Sequence, residues 1–206
     1  MGLYLTPNTL HLAPSRERRE KKMKKVELSI LSVLVAAAFC LQARGANLEV
    51  EVADMATISS ADTTRFLLQF DLPADLEGCT IDYAHLLFTA QADSGWEEPL
   101  DIAGYRVATG WDMGSVSWVY PWINPGGDYN DSSLTLFTIS GGESQEVSLD
   151  ITGILSAWVK GKPDYGLIIK SLIEKGGNFT ILEDLELPLG GWAKLEVYYT
   201  AQEVMK

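Results

Sequence analysis

The stretch VSLDITGILSAWVKGKPDYGLIIKS, residues 147–171, decides the fold of this chain because it contains three successive kinds of element. Residues 147–151 alternate between apolar and polar side chains, as in a half-buried strand. The apolar side chains of residues 154–158 then recur at helical spacing. The apolar run 165–169 is typical of a buried strand. The stretch therefore predicts one short helix between two strands of an all-β core.

The ends of this helix are marked by polar and helix-terminating residues. Asp150 or Thr152 can cap its first turn by accepting a backbone hydrogen bond. Gly161 suits the left-handed position that follows a helix, and Pro163 cannot continue one. These signals place the helix within residues 151–160.

Short alternating segments separated by Gly, Pro, Asn and Asp occur along the rest of the chain. This pattern predicts an antiparallel β-sandwich. In the segment 83–90, for example, Ala84, Leu86 and Phe88 share the inward face. The predicted strands are 48–52, 65–72, 83–90, 101–108, 134–139, 146–151, 165–171, 179–182 and 194–200.

Residues 1–45 have the composition of an upstream extension and an export signal. Two lysines precede the apolar run 28–40, and small residues occupy the −3 and −1 positions of a cleavage site before Ala46. The run is shorter than the about 20 apolar residues of a membrane-spanning helix. We expect translation to start at Met23 and residues 46–206 to be secreted as one domain, extracellular or at the cell surface, with no membrane attachment after cleavage.

The predicted mature domain is strongly acidic. Eight of the 16 basic and three of the 28 acidic residues precede Ala46, which leaves a formal net charge of −17 on residues 46–206. This charge repels nucleic acids and anionic polymers. We therefore expect no nucleic-acid partner.

The domain offers few groups for catalysis. Cys79 is its only cysteine and His85 its only histidine, so an intramolecular disulfide and a Cys/His zinc site are excluded. His85 falls on the outward face of the segment 83–90, and Cys79 follows a glycine in a predicted turn without a neighbouring base. These positions favour a surface histidine and a structural thiol, and we expect no enzymatic activity.

No cofactor is predicted. Structural calcium is a weaker alternative, because carboxylate oxygens are the ligands that Ca²⁺ prefers. The candidate acidic groups are Asp128 with Asp131, and Glu183 with Asp184 and Glu186. Neither group matches a known calcium-loop signature.

The six tryptophans fall into two groups according to the residues next to them in sequence. Trp158 falls at helical spacing with Ile154 and Leu155, which predicts that it packs in the core. Other aromatic residues lie beside turn residues, where an exposed ring can stack on the C–H face of a neutral sugar. These candidate ligand-binding residues are Trp96, Tyr120, Trp122 and Trp192. The alternative is that they cover the edge of the core.

Five segments in order are RFLLQFDLP, CTIDYAHLLF, YRVATGWDMGSVSW, VSLDITGILSAWVKGKPDYGLIIKS and AKLEVYY. Together they resemble the DNRLRE-type domain, a secreted β-sandwich group. The group includes disaggregatase-related modules and the family ninety-six carbohydrate-binding modules. The resemblance covers roughly residues 56–199 and implies a β jelly roll. It also implies that Trp111, Trp118 and Trp158, which lie inside these segments, pack in the core.

Three functions follow as hypotheses. The resemblance and the aromatic residues beside turns favour a non-catalytic carbohydrate-binding module for an extracellular polysaccharide or cell-surface glycan. The single domain and the lack of a recognisable site favour a structural or adhesive component of an envelope or extracellular matrix. The disaggregatase association alone suggests a polysaccharide-cleaving enzyme.

Overall fold

A computed structural model describes residues 45–173, 177–183 and 191–201. These residues belong to one compact unit, Gly45–Lys206. The predicted upstream extension and export signal lie outside the described residues.

The described residues form nine strands, one α-helix and one short 3₁₀ helix, Ala74–Leu76. The α-helix, α1, is Thr152–Val159, within the predicted 151–160. The strands are β1 Ala46–Ser59, β2 Thr64–Phe70, β3 Thr80–Ala92, β4 Leu100–Val107, β5 Tyr129–Ile139, β6 Ser144–Asp150, β7 Leu167–Ser171, β8 Phe179–Leu182 and β9 Ala193–Thr200.

The strands form two antiparallel sheets that share β1. In sheet A the order is β1-β9-β3-β6, and β8 pairs with the last residues of β3. In sheet B the order is β1-β2-β7-β4-β5. Residues 46–51 of β1 pair with β9, and residues 52–59 pair with β2. Without the shared strand, sheet B has the order β2-β7-β4-β5, and the two four-stranded orders are those of a jelly roll. The predicted all-β sandwich is confirmed.

The main core lies between the two sheets. Ala84, Leu86 and Phe88 of β3 are all buried in it, so the predicted inward face is correct. The helix α1 adds Ile154, Leu155 and Trp158 to the same core. Trp158 is predicted as a core residue, and its ring centroid lies 6.0 Å from that of Phe70. The helix therefore covers part of the main core with apolar side chains.

The N-cap residue of α1 is Ile151, which makes no side-chain capping hydrogen bond, so neither predicted cap, Asp150 or Thr152, occupies that position. The Asp150 carboxylate accepts from the backbone NH and the hydroxyl of Thr152 at 2.9 and 2.6 Å. The Thr152 hydroxyl accepts from the backbone NH of Ala84 at 2.8 Å, which ties the helix to β3. Gly161 has φ +88° and donates to the carbonyl of Trp158, as predicted for the residue that ends the helix.

A second apolar cluster covers the outer face of sheet B. We call it the outer cluster, and its buried members are Ala56, Ile58, Leu67, Ala103, Tyr105, Val107, Trp111, Trp122 and Ile168. The loop 108–128 supplies both tryptophans, and the half-buried Trp118 packs against them. The expected core positions of Trp111 and Trp118 thus belong to this cluster rather than to the main core.

The expectation that Trp122 is an exposed stacking surface is wrong. Its side chain is only 7% exposed, and its indole NH donates to the carbonyl of Ser117 at 2.8 Å. The ring faces sheet B because the loop 108–128 folds back over that sheet. Trp122 therefore stabilises the loop and offers little surface to a ligand.

Candidate functional site

The four aromatic residues predicted to bind a ligand lie in three parts of the molecule. Trp96, between β3 and β4, is half-buried and packs against the main core. Tyr120 is 58% exposed on the loop over sheet B, which also contains the buried Trp122. Trp192 is 38% exposed and immediately precedes β9 of sheet A. The structure does not bring these residues together, and Trp192 is the member of the set that is both exposed and next to a cleft.

The larger cleft beside Trp192 has a volume of about 880 Å³. It lies where β1 leaves sheet A and joins sheet B, a transition marked by a register shift between Val52 and Asp54. Trp192 and the exposed Met113 contribute apolar surface, and Glu51 and Asp71 contribute carboxylates. The cleft thus combines an aromatic side chain with hydrogen-bond acceptors.

A smaller cleft of about 420 Å³ lies on the other side of Trp192. Thr89 of β3 and the exposed Glu146 and Ser148 of β6 line it. Trp192 and Lys194 line both clefts. Trp192 therefore lies between the two clefts, with one cleft on each side of its ring.

The positive charge of Lys194 is balanced by neighbouring carboxylates. Its Nζ lies 3.0 Å from Glu196 Oε1 and 3.8 Å from Glu49 Oε1. These side chains project from neighbouring strands on the outward face of sheet A. The side chains of Lys194 and Glu196 are half-buried, with 31% and 32% of their surface exposed, whereas that of Glu49 is 70% exposed.

Two tyrosines extend the same outward face beyond the clefts. The rings of Tyr83 on β3 and Tyr198 on β9 stack with centroids 4.1 Å apart and an interplanar angle of 21°. Desolvation, followed by the hydrogen bond with Tyr198 and the negative charge of Glu196, raises the pKa of Tyr83 to about 12. Its hydroxyl therefore stays protonated at neutral pH. The alternation in residues 83–90 places Tyr83 outward, but the stack with β9 depends on strand pairing that the pattern does not specify.

His85 lies beside this pair, with its ring centroid 5.5 Å from that of Tyr83. Its Nδ1 and the Ser148 Oγ are 2.9 Å apart on the exposed face of sheet A. The hydrogen bonds of Asp150 come from Thr152, and they are the largest cause that lowers the pKa of its carboxyl. Desolvation opposes that shift, and the charge of His85 adds to it. Both hydrogen bonds from Thr152 go to Oδ1 of Asp150, which holds this carboxylate against the start of α1.

The carboxylate of Asp128, a calcium candidate, is used to hold its own loop. It accepts from the backbone NH groups of Ile123 and Asn124 at 2.7 and 2.9 Å, and also from the side chains of Thr109 and Asn124. Desolvation raises the pKa of Asp128, but these hydrogen bonds outweigh it and lower the pKa below its ordinary value. Across the described residues, no group of three or more His, Cys, Asp or Glu side chains is arranged to hold a metal ion. Of the second candidate group, Asp184 and Glu186 lie outside the described residues.

Cys79 is buried, and its Sγ lies 3.2 Å from the carbonyl oxygen of Asp75. Among the helices in the described part of the chain, none has the length and apolar character needed to cross a membrane.

No protein-family model matches this sequence, and no curated protein matches it at a significant level. The resemblance to the DNRLRE-type domain therefore stays a prediction from the ordered segments.

Proposed function

We propose that this protein is a secreted, non-catalytic carbohydrate-binding module that binds an extracellular polysaccharide or cell-surface glycan through the face around Trp192. The observation that carries the proposal is an exposed tryptophan flanked by two open clefts on one face of a β-sandwich. An indole ring stacks on the apolar face of a sugar, and it adds binding energy without a large loss of side-chain entropy.

The groups around Trp192 suit the hydroxyl-rich edge of a sugar. Carboxylates such as Glu51 and Glu146 accept hydrogen bonds, and Lys194 and Ser148 donate them. The carboxylates on this face outnumber its one cation, Lys194, so the face repels the negative charge of uronic acids and favours neutral sugars. This combination of one stacking surface and several hydrogen-bonding groups is sufficient for recognition and requires no reacting group.

Affinity gel electrophoresis with soluble neutral polysaccharides tests the proposal. We expect one or more of them, such as a glucan, xylan or mannan, to retard the mature protein. Trp192→Ala should abolish that retardation because it removes the stacking surface. Tyr120→Ala is the matched control, since Tyr120 is an exposed aromatic residue on the loop over the other sheet. If Tyr120→Ala abolishes binding and Trp192→Ala does not, the ligand site is on that loop instead.

A second candidate function is that of a structural or adhesive protein. It is favoured by Leu134 and Leu136, which are exposed on β5 at the edge of sheet B. Exposed apolar side chains on an edge strand promote association with other proteins. This function predicts no retardation by any polysaccharide, together with self-association in sedimentation experiments that Leu136→Ser weakens.

A further inference from the structure

A row of paired residues crosses sheet A at the level of the two clefts. Glu51 of β1 pairs with Lys194 of β9, and Lys194 pairs with Leu87 of β3. Leu87 pairs in turn with Ser148 of β6. The row therefore runs perpendicular to four adjacent strands.

Both clefts lie along this row. Glu51 lines the larger cleft, Leu87 and Ser148 line the smaller one, and Lys194 lines both. The larger cleft continues past β1 to Asp71, just beyond the end of β2. Trp192, two residues before Lys194 in sequence, stands between the two open spaces.

We propose that a linear polysaccharide crosses the strands of sheet A along this row, stacks one sugar on Trp192 and leaves at both sides. The site would then bind an internal segment of the polymer rather than a chain end. This inference rests on the proposed function, since it specifies how the same face holds its ligand.

The spacing of the strands sets the length of the bound segment. Neighbouring strands lie about 4.8 Å apart, which is close to the length of one sugar unit in an extended chain. A row over β1, β9, β3 and β6 therefore matches about four units, one per strand. Recognition of a chain end would instead need a wall on one side of Trp192, and within the described residues 45–173, 177–183 and 191–201 both sides of Trp192 open into a cleft.

The chemical character of the row fits a chain that lies flat across it. Trp192 lies beside the row, between the two clefts, and hydrogen-bonding groups lie on both sides of it, with Glu51 and Asp71 in the larger cleft and Glu146 and Ser148 in the smaller one. Each sugar beyond the stacked one thus meets polar groups that bind its hydroxyls.

Isothermal titration with oligosaccharides of the retained polysaccharide tests this inference. The probes are cello-, xylo- or manno-oligosaccharides from the dimer to the hexamer, each also with its reducing end reduced to the alditol. We expect affinity to rise by about tenfold or more from dimer to tetramer and then to level off. Reduction of the end should leave the affinity of the hexamer unchanged, because the bound segment is internal.

Variants that obstruct each cleft locate the path. Ala53→Arg places a long side chain in the larger cleft, and Ser148→Arg places one in the smaller cleft. Each should lower affinity for the hexamer about tenfold and leave the weak dimer affinity at Trp192 unchanged. Ser132→Arg, on the exposed surface of β5, introduces the same charge away from both clefts and should bind like the wild type. Far-UV circular dichroism and urea denaturation check that all three variants fold.

The outcomes separate this inference from the proposed function. Affinity that does not increase beyond the dimer, loss of binding on reduction of the end, or no effect of either cleft variant overturns the inference while carbohydrate binding stands. If the wild type binds none of the oligosaccharides and no polysaccharide retards it, the proposed function fails and the inference fails with it.

Discussion

At the scale of single residues, tryptophans with similar neighbours in sequence take different roles. Trp122 and Trp192 both lie beside turn residues, yet Trp122 is buried under its loop and Trp192 is exposed beside a sheet. The difference depends on which way the loop 108–128 folds. That direction is fixed by contacts distant in sequence, such as the indole NH of Trp111 donating to the carbonyl of Tyr165 at 2.8 Å. Neighbouring residues in sequence do not carry this information.

Replacement of the buried tryptophans should destabilise the fold. Trp158 is 5% exposed in the main core, and removal of a large buried aromatic side chain costs about 3–5 kcal/mol. We expect Trp158→Ala, and to a similar extent Trp122→Ala, to lower the free energy of unfolding measured by urea denaturation. The exposed Tyr120→Ala serves as the control and should change it by less than about 0.5 kcal/mol. Unchanged stability of Trp158→Ala together with lost sugar binding would contradict the core assignment of Trp158.

At the scale of elements, the sequence predicts the helix and the short strands well and the longest strand poorly. Alternation predicts a first strand over residues 48–52, whereas the observed β1 is Ala46–Ser59. Its second half, ADMATIS, contains small and polar side chains, and the register shift after Val52 interrupts the alternation. The helix α1 is predictable because its apolar spacing and Gly161 agree, although its N-cap residue is Ile151 rather than Asp150 or Thr152.

Two aspartates at element ends make stability dependent on pH. The pKa values of Asp150, at the start of α1, and Asp128, in the loop over sheet B, are both lowered in the folded protein. A lowered folded-state pKa gives stability that is fully present above the unfolded pKa of about 3.9 and is lost as the pH falls through the folded value.

Asp128→Asn and Asp150→Asn should therefore be less stable than the wild type at neutral pH. As the pH is lowered to about 2, the wild type should lose stability more steeply, so that its difference from each variant narrows. Urea unfolding midpoints measured across this range check the result. If the urea midpoints of both variants fall in parallel with that of the wild type, these two carboxylates are not the cause of the pH dependence of stability.

At the scale of the whole molecule, the alternation of apolar and polar side chains predicts a β-sandwich. The strand order of a jelly roll is predicted only by the resemblance to the DNRLRE-type domain. Strand order depends on pairs distant in sequence, such as β1 with β9, and local periodicity is the same in any sandwich. The candidate site is likewise only partly predictable from local sequence patterns. Trp192 is predictable as an exposed aromatic residue, but the clefts on each side of it arise from the passage of β1 between the sheets and from the neighbouring strands β3 and β6.

The last prediction concerns activity, which depends on the environment of the carboxyl groups around Trp192. Hydrolysis of a glycoside requires two carboxyl groups about 5–10 Å apart, one of them with a raised pKa in a desolvated cleft. The carboxylates around Trp192, such as Glu51 and Glu146, lie on an open and exposed face.

We therefore expect the purified protein to bind its polysaccharide without cleaving it. Reducing-end assays and the ultraviolet absorbance of unsaturated products should both stay at the level of a heat-denatured sample during prolonged incubation with the retained polysaccharide. Glu51→Gln and Glu146→Gln provide the decisive comparison, because a trace of a contaminating enzyme is unaffected by either substitution. Product release by the wild type that one of these substitutions abolishes would falsify the non-catalytic function, since it would assign a reacting carboxylate to the face around Trp192.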